Sequence, residues 1–324
     1  DLQNQWKVVE YTYNQFCSIG GIMMQKKKVN LCALLLMLIM LIVPASITKA
    51  AVSNPVVRRA LVIGEADYSK IGPKNNLASS KYDANAVYTA LKKSGYSKVV
   101  GKLNVNKGKI ENLIESTFKG ADDNDVSLFY FSGHGFNDPA GTLVMPNGNI
   151  ITPSKLAKCL NKVNGTVVVI IDACFSGGVI KKGNADAMMQ QFNDSVVNAF
   201  ASADTSKTNV VSKAAGVLAN SKFKVLTACR EYETSDAYVN GDNSFGVSFF
   251  TYYMIQGSGF DYMDGSKRKS APANYNGDKA TSIYEICKYV NKKAEKGFML
   301  GNKRKYPAQR AMCYPSNSGF KVFK

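Results

Sequence analysis

From Arg58 onward the chain alternates short apolar runs with stretches whose apolar residues recur at helical spacing. Ala60-Leu61-Val62-Ile63, closed by Gly64, has the pattern of a buried strand. Ala84, Val87, Tyr88 and Leu91 then keep the spacing of a helix that Gly95 stops. Residues 98–103 predict a second strand, and Ile110, Leu113, Ile114 and Phe118 a second helix ended by Gly120. Val126 to Phe131 is a third strand, and Gly141 to Ile151, with Asn147-Gly148 inside, predicts a hairpin. Thr152 and Pro153 are an N-cap and a first helical residue ahead of Leu156, Cys159, Leu160 and Val163. Thr166 to Ile171 is apolar enough for a central strand. The rhythm breaks over 179–222, which is rich in Lys, Asn, Ser, Ala and Asp, and a connection that long is usually functional or disordered. It resumes with a fifth strand at Lys224 to Cys229 and a helix carrying Phe249, Phe250, Tyr253 and Met254. Ser282 and Glu285 form a capping box before Ile283, Ile286, Cys287 and Val290, and a short strand near Gly319 to Phe323 closes the chain. Such alternation predicts an α/β fold, a mostly parallel sheet covered on both faces.

The first fifty residues follow another pattern. Lys26-Lys27-Lys28 precede an uncharged run from Val29 to Thr48, and small residues follow. That is the layout of a secretory signal peptide over 23–50, cleaved near Ala50, with residues 1–22 upstream of a start at Met23 or Met24. The rival is an uncleaved anchor, since the run is near the length that spans a bilayer; Pro44 and the small residues after it favour cleavage. Residues 51–57 then form a linker and 58–324 one domain, exported from a bacterial cell to its surface or medium. Membrane contact is confined to export.

Composition narrows the chemistry. The 324 residues are 45% hydrophobic and 20% charged, which is ordinary globular usage. The net charge of +17 serves solubility or draws the chain to an anionic surface. Its densest runs, Lys26 to Lys28 and Lys267-Arg268-Lys269, are not interleaved with aromatics, so nucleic acid is not expected as a partner. Of seven cysteines, Cys17 and Cys32 fall in the segment removed on export; Cys159, Cys174, Cys229, Cys287 and Cys313 remain, an odd number without a CxxC pair. His134 is the only histidine, which excludes His-rich metal sites.

In open α/β sheets reactive groups gather beyond the carboxyl ends of the strands. The third strand runs into Ser132-Gly133-His134-Gly135 and the fourth into Asp172-Ala173-Cys174-Phe175-Ser176-Gly177-Gly178. If those strands are neighbours, imidazole and thiol face each other, the pairing that activates a thiolate. The alternatives are a buried cysteine, as Cys159 and Cys287 read on their helices, and a structural histidine. The flanking glycines leave room for a substrate backbone, which favours the dyad.

The stretches FYFSGHG and VVVIIDACFSGG resemble the caspase and metacaspase group of cysteine peptidases, which includes bacterial clostripain-like and gingipain-like enzymes. The likeness runs from about Arg58 to the C-terminus. It implies a three-layer sandwich with a six-stranded sheet of order 2-1-3-4-5-6. It also implies catalysis by His134 and Cys174, and an oxyanion hole from the main-chain N–H groups of Gly135 and Cys174. Where caspases carry Gln and Arg around the cysteine, this chain has Asp172 and Phe175. An acid two residues before the nucleophile on a strand lies beside it and suits a cationic P1 side chain. Metacaspases add a second acid; Leu77-Ala-Ser-Ser-Lys-Tyr-Asp83-Ala84 keeps its Asp-Ala but loses Gly, Cys and Asn, so Asp83 is either that acid or a helix N-cap. Ser132 matches a further pocket residue. Members of the group often use calcium; there is no EF-hand pattern, and Asp122, Asp123 and Asp125 read equally as a solvated loop. The expected activity is an exported endopeptidase cutting peptide or protein substrates after Lys or Arg, with self-cleavage of the 179–222 connection at Lys207, Lys213, Lys181 or Lys182. A transpeptidase using the same acyl-enzyme, and a basic wall- or nucleic-acid-binding protein with a vestigial dyad, are the rivals. Oligomeric state is not legible.

Overall fold

The computed structural model describes residues 54–137, 140–175, 222–229, 233–294, 299–300, 304–305 and 309–324. The expected leader over 23–50, the residues before it and the Lys181, Lys182, Lys207 and Lys213 sites lie outside the described residues.

The elements follow the predicted rhythm. β1 (Arg58–Gly64) leads to α1 (Ala78–Lys93), β2 (Lys98–Leu103) and α2 (Lys107–Phe118). β3 (Val126–Asn137), β4 (Ala140–Val144) and β5 (Ile150–Ile151) precede α3 (Pro153–Asn161) and β6 (Thr166–Phe175). β7 (Phe223–Thr227), β8 (Ala237–Val239) and β9 (Gly246–Ser248) run into α4 (Phe249–Gly257). β10 (Thr281–Ser282) opens α5 (Ile283–Ala294); β11 (Met299–Leu300), β12 (Arg304–Lys305), β13 (Met312–Tyr314) and β14 (Lys321–Phe323) complete the described chain.

The main sheet runs β13-β7-β6-β3-β1-β2. Counted in chain order these strands give the expected 2-1-3-4-5-6, parallel except for β13, which is antiparallel to β7. Two details differ from expectation. The sixth place belongs to Met312–Tyr314, whose three residues carry too short a pattern to predict, while Lys321–Phe323 pairs with β10 outside the main sheet. The β4–β5 hairpin joins the edge of β3 through Gly135↔Leu143 and brings the sheet to eight strands.

Alternation along the strands builds the two covering layers. Leu61, Ile63, Phe129, Phe131, Val167 and Val169 face one way, against Ile110 and Ile114 of α2 and Leu156 and Leu160 of α3. Ala60, Val62, Leu128, Tyr130, Val168 and Ile170 face the other, against Val87 of α1, Phe250 and Met254 of α4 and Ile286 of α5. β1, β3 and β6 are covered on both sides, which is why they read as unbroken apolar runs. Predicted caps hold: Lys155 N–H donates to Thr152 Oγ1 at 3.3 Å, and Ser282 N–H to Glu285 Oε2 at 2.9 Å. At the end of β1, a Cβ on Gly64 would lie 2.4 Å from the Ser80 carbonyl oxygen, so only glycine lets α1 approach the strand this closely.

Asp122, Asp123 and Asp125 do not form a cation cage. Asp125 Oδ2 takes Arg59 Nη1 at 2.5 Å, and Asp125 Oδ1 takes the Val57 N–H at 2.7 Å. Among the described residues no three histidine, cysteine or acidic side chains gather as metal ligands.

One buried acid makes the fold pH-sensitive. Glu65 follows β1, is fully buried, and accepts the Val105 N–H at 2.8 Å. Burial pushes its pKa from 4.5 up to about 8 against that hydrogen bond. A carboxyl raised on folding stabilises the native state below its unfolded pKa, and the contribution is lost as pH rises toward the folded one. Stability therefore falls between about pH 4.5 and 8. Glu65→Gln is expected to raise the urea midpoint at the upper end of that window and leave it unchanged at the lower end; equal shifts at both ends would contradict it.

Candidate active site

β3 and β6 are direct neighbours, and their parallel register runs from Val126↔Thr166 through Ser132↔Asp172 and His134↔Cys174 to Gly135↔Phe175. The two strands were expected to end at Phe131 and Ile171. They continue through the glycine-flanked motifs instead, so His134 and Cys174 lie inside the ladder as partners. Gly133 makes this possible: a Cβ there would come within 3.0 Å of Tyr68 Oη, Phe131 Cζ and Glu65 Cβ. Gly135 and Cys174, the expected oxyanion donors, stand one register step apart.

The imidazole is held from the loop between β1 and α1. Tyr68 is fully buried, its ring centroid 4.5 Å from that of His134, and its hydroxyl accepts the His134 N–H at 2.9 Å and donates to the Val144 carbonyl at 3.0 Å. His134 Nε2 lies 2.7 Å from the carbonyl oxygen of Asn75, the last residue of a 3-10 turn over Pro73–Asn75. A carbonyl only accepts, so Nε2 carries the hydrogen and the neutral ring keeps its lone pair on Nδ1. Nδ1 is buried and has no partner among the described residues. Burial lowers the His134 pKa, against the Asn75 contact that raises it. The ring is therefore a neutral base with its accepting nitrogen unused.

Asp83 and Asp172 come together behind the dyad. Asp83 lies in the second turn of α1, whose N-cap is Leu77, so it is not a helix cap. Its Oδ1 accepts the Tyr262 hydroxyl at 2.5 Å and the Ser248 N–H at 3.2 Å, and its Oδ2 accepts Ser132 Oγ at 3.2 Å. Asp172 Oδ1 accepts Ser235 Oγ at 2.6 Å; its Oδ2 accepts Thr251 Oγ1 at 2.6 Å and Ser248 Oγ. Ser248, the N-cap of α4, thus serves both acids, one through its main chain and one through its hydroxyl. Both acids are closed to solvent, and every donor is neutral. Burial, and then the charge of Asp172, raise the Asp83 pKa; burial raises that of Asp172 against three hydroxyl donors. Buried carboxylates are normally paired with a cation. This pair has none among the described residues.

A family model described as the caspase domain matches residues 57–311. The chain belongs to the caspase-domain family of cysteine peptidases. The fold is found again in the crystal structure of a protein from Geobacter sulfurreducens, with TM-score 0.50 and 18% identity, over 83% of this chain and 100% of that one. No curated protein matches the chain.

Cys159 and Cys287 sit in supporting places on helices. Cys159 on α3 is half-buried, and burial, then Glu111, raises its thiol pKa. The Cys287 thiol is pushed up by the hydrogen bond it shares with Cys313 and by burial. Both stay protonated and unreactive. Sequence reasoning missed Tyr68, Ser235, Ser248, Thr251 and Tyr262. Ser248 carried one usable signal, an N-cap serine ahead of an aromatic helix.

Two outcomes follow from this geometry. The acid limb of kcat/KM belongs to His134 and is expected below the ordinary imidazole value of about 6.5; a limb above it would exclude this base. Ser248→Ala removes an N-cap and a donor to a buried carboxylate, and is expected to lower stability by about 2–3 kcal/mol in urea melts.

Proposed function

We propose that this caspase-domain protein is an exported cysteine endopeptidase that cleaves peptide bonds after Lys or Arg. The observation that carries the reading is the Asp83–Asp172 pair, buried, bridged by Ser248 and supplied, among the described residues, only with neutral donors. A P1 ammonium or guanidinium provides the missing positive charge, and Ser132, which donates to Asp83, is the third proposed P1 residue.

In this mechanism His134 Nδ1 takes the proton of the Cys174 thiol while the sulfur attacks the scissile carbonyl, and the C–N bond then breaks as the imidazolium returns that proton to the leaving amine. Water, activated by the same nitrogen, resolves the acyl-enzyme. The N–H groups of Gly135 and Cys174 are the proposed donors to the tetrahedral oxyanion, commonly the largest single contribution. The Asn75 carbonyl keeps the ring in the tautomer this sequence needs.

Export rests on the signal-peptide pattern of 23–50, and among the described residues no helix is long and apolar enough to cross a membrane. Activation by self-cleavage after Lys207, Lys213, Lys181 or Lys182 is part of the proposal. A connection anchored beside the nucleophile holds its lysines at high effective concentration. Closure of the pocket acids to solvent is what a latent form would present.

A peptide-library digest with and without added calcium tests the activity, the P1 preference and the metal requirement together. Cleavage after Lys and Arg, abolished in Cys174→Ala and His134→Ala and retained in Cys159→Ala and Cys287→Ala, is expected. Asp172→Asn is expected to lower kcat/KM for Lys and Arg substrates about 10²–10³-fold, with a much smaller effect at neutral P1 residues. Efficient cleavage after aspartate would refute the pocket assignment. Purified wild type beside Cys174→Ala on a denaturing gel, with N-terminal sequencing of fragments, tests processing; a wild-type chain that stays intact at full activity would exclude latency.

A further inference from the structure

The basic run Lys267-Arg268-Lys269 plays no part in the chemistry above. It lines a pocket of about 210 Å³ together with Lys279 and Lys324, and among the described residues no Asp or Glu lines that pocket. The walls come from the turn after α4, the strand β10 and the end of β14. Two of the lining residues, Ser258 and Thr281, carry hydroxyls that are buried and have no hydrogen-bond partner among the described residues. Thr281 is 1% and Ser258 6% exposed. A buried hydroxyl left unpaired costs on the order of 1–3 kcal/mol of desolvation, so two of them in one small pocket need a reason. Lys279 adds another: its backbone sits at φ 66°, a left-handed conformation disfavoured for a side-chain-bearing residue.

We propose that this pocket is a binding site for a single tetrahedral oxyanion of the phosphate class. The two hydroxyls donate to the anion's oxygens at the base, while Lys267, Arg268, Lys269 and Lys279 neutralise it at the rim. Its volume lies below the roughly 300–1,000 Å³ of pockets that take drug-sized molecules, which limits the occupant to one phosphoryl-sized group. The pocket adjoins the C-terminal end of α4, where the helix dipole is negative and repels an anion. The cationic rim is what reverses that sign. Asn274, a further lining residue, has a buried side-chain oxygen with no hydrogen-bond partner among the described residues. The anion can be free phosphate or a phosphodiester group of a larger molecule, and the chemistry is shared.

Calorimetric titration of the full-length chain with inorganic phosphate, at ionic strength held constant with sodium chloride, tests the site. Saturable binding is expected. It should be lost in Arg268→Gln/Lys279→Gln, weakened about ten- to a hundredfold in Thr281→Val, and unchanged in Lys109→Gln/Lys119→Gln, which removes two exposed cations elsewhere. Ser258→Ala repeats the hydroxyl test should Thr281→Val fail to fold, and urea melts of every variant report on folding. A parallel titration with a glycerol phosphodiester identifies the source: equal affinity assigns the site to a phosphodiester, and binding of inorganic phosphate alone assigns it to the free dianion. Heats no larger than those of chloride, an unaltered affinity in the hydroxyl variants, or an equal loss in the control pair would overturn the proposal.

Discussion

The register between β3 and β6 is the constraint on which the site depends. Ten consecutive residue pairs, from Val126↔Thr166 to Gly135↔Phe175, fix His134 opposite Cys174. Side chains alternate between faces along a strand, so a slip of one residue would turn every apolar residue of one strand to the wrong layer. The same alternation that sorts Phe129 and Phe131 from Leu128 and Tyr130 therefore also aligns the dyad. Core packing and catalytic geometry are one specification here.

The carboxyl ends of the central strands collect unusual charge. Glu65, Asp83 and Asp172 are buried within a few residues of the dyad, each with a raised pKa. Folding burial alone would have favoured apolar residues at these positions. Around Asp83 and Asp172 the cost is offset by hydroxyls drawn from separate elements: Ser132 from β3, Ser235 before β8, Ser248 and Thr251 at the start of α4, and Tyr262 beyond it. The arrangement ties α1, β3, β6 and α4 to each other through two carboxylates. Polar satisfaction thereby contributes to the docking of α4, whose apolar residues Phe250 and Met254 cover the same face of the sheet.

Much of this was legible in the chain. Apolar runs located β1, β3 and β6, and the two glycine-flanked motifs located His134 and Cys174. The misreadings have physical causes. Glycines around His134 and Cys174 read as loop, although Gly133 is there because the strand packs closely against Tyr68 and Glu65. Asp83 read equally as a cap because Ala78 to Lys81 show no apolar periodicity, and α1 begins there regardless. The hydroxyl donors to the acids come from positions 49–179 residues distant in sequence, a separation over which local patterning carries no information. Met312–Tyr314 occupies the sixth strand position on three residues, too few to show period two.

The partner of His134 Nε2 is a main-chain atom, and that has consequences for how the site tolerates change. Any residue at position 75 brings the same carbonyl, so side-chain substitution there spares the contact. Comparison of related sequences by residue identity would pass over the position entirely. What the contact cannot survive is a change in chain length. The turn is pinned on either side, by Tyr68 N–H to the Asn76 side chain at 2.7 Å and by Leu77 N–H to the Ala66 carbonyl at 2.9 Å. A single-residue insertion or deletion between those pins would move the carbonyl away from the ring. Position 75 is therefore tolerant of side-chain change and intolerant of indels around it, so selection on the catalytic base acts here on loop length.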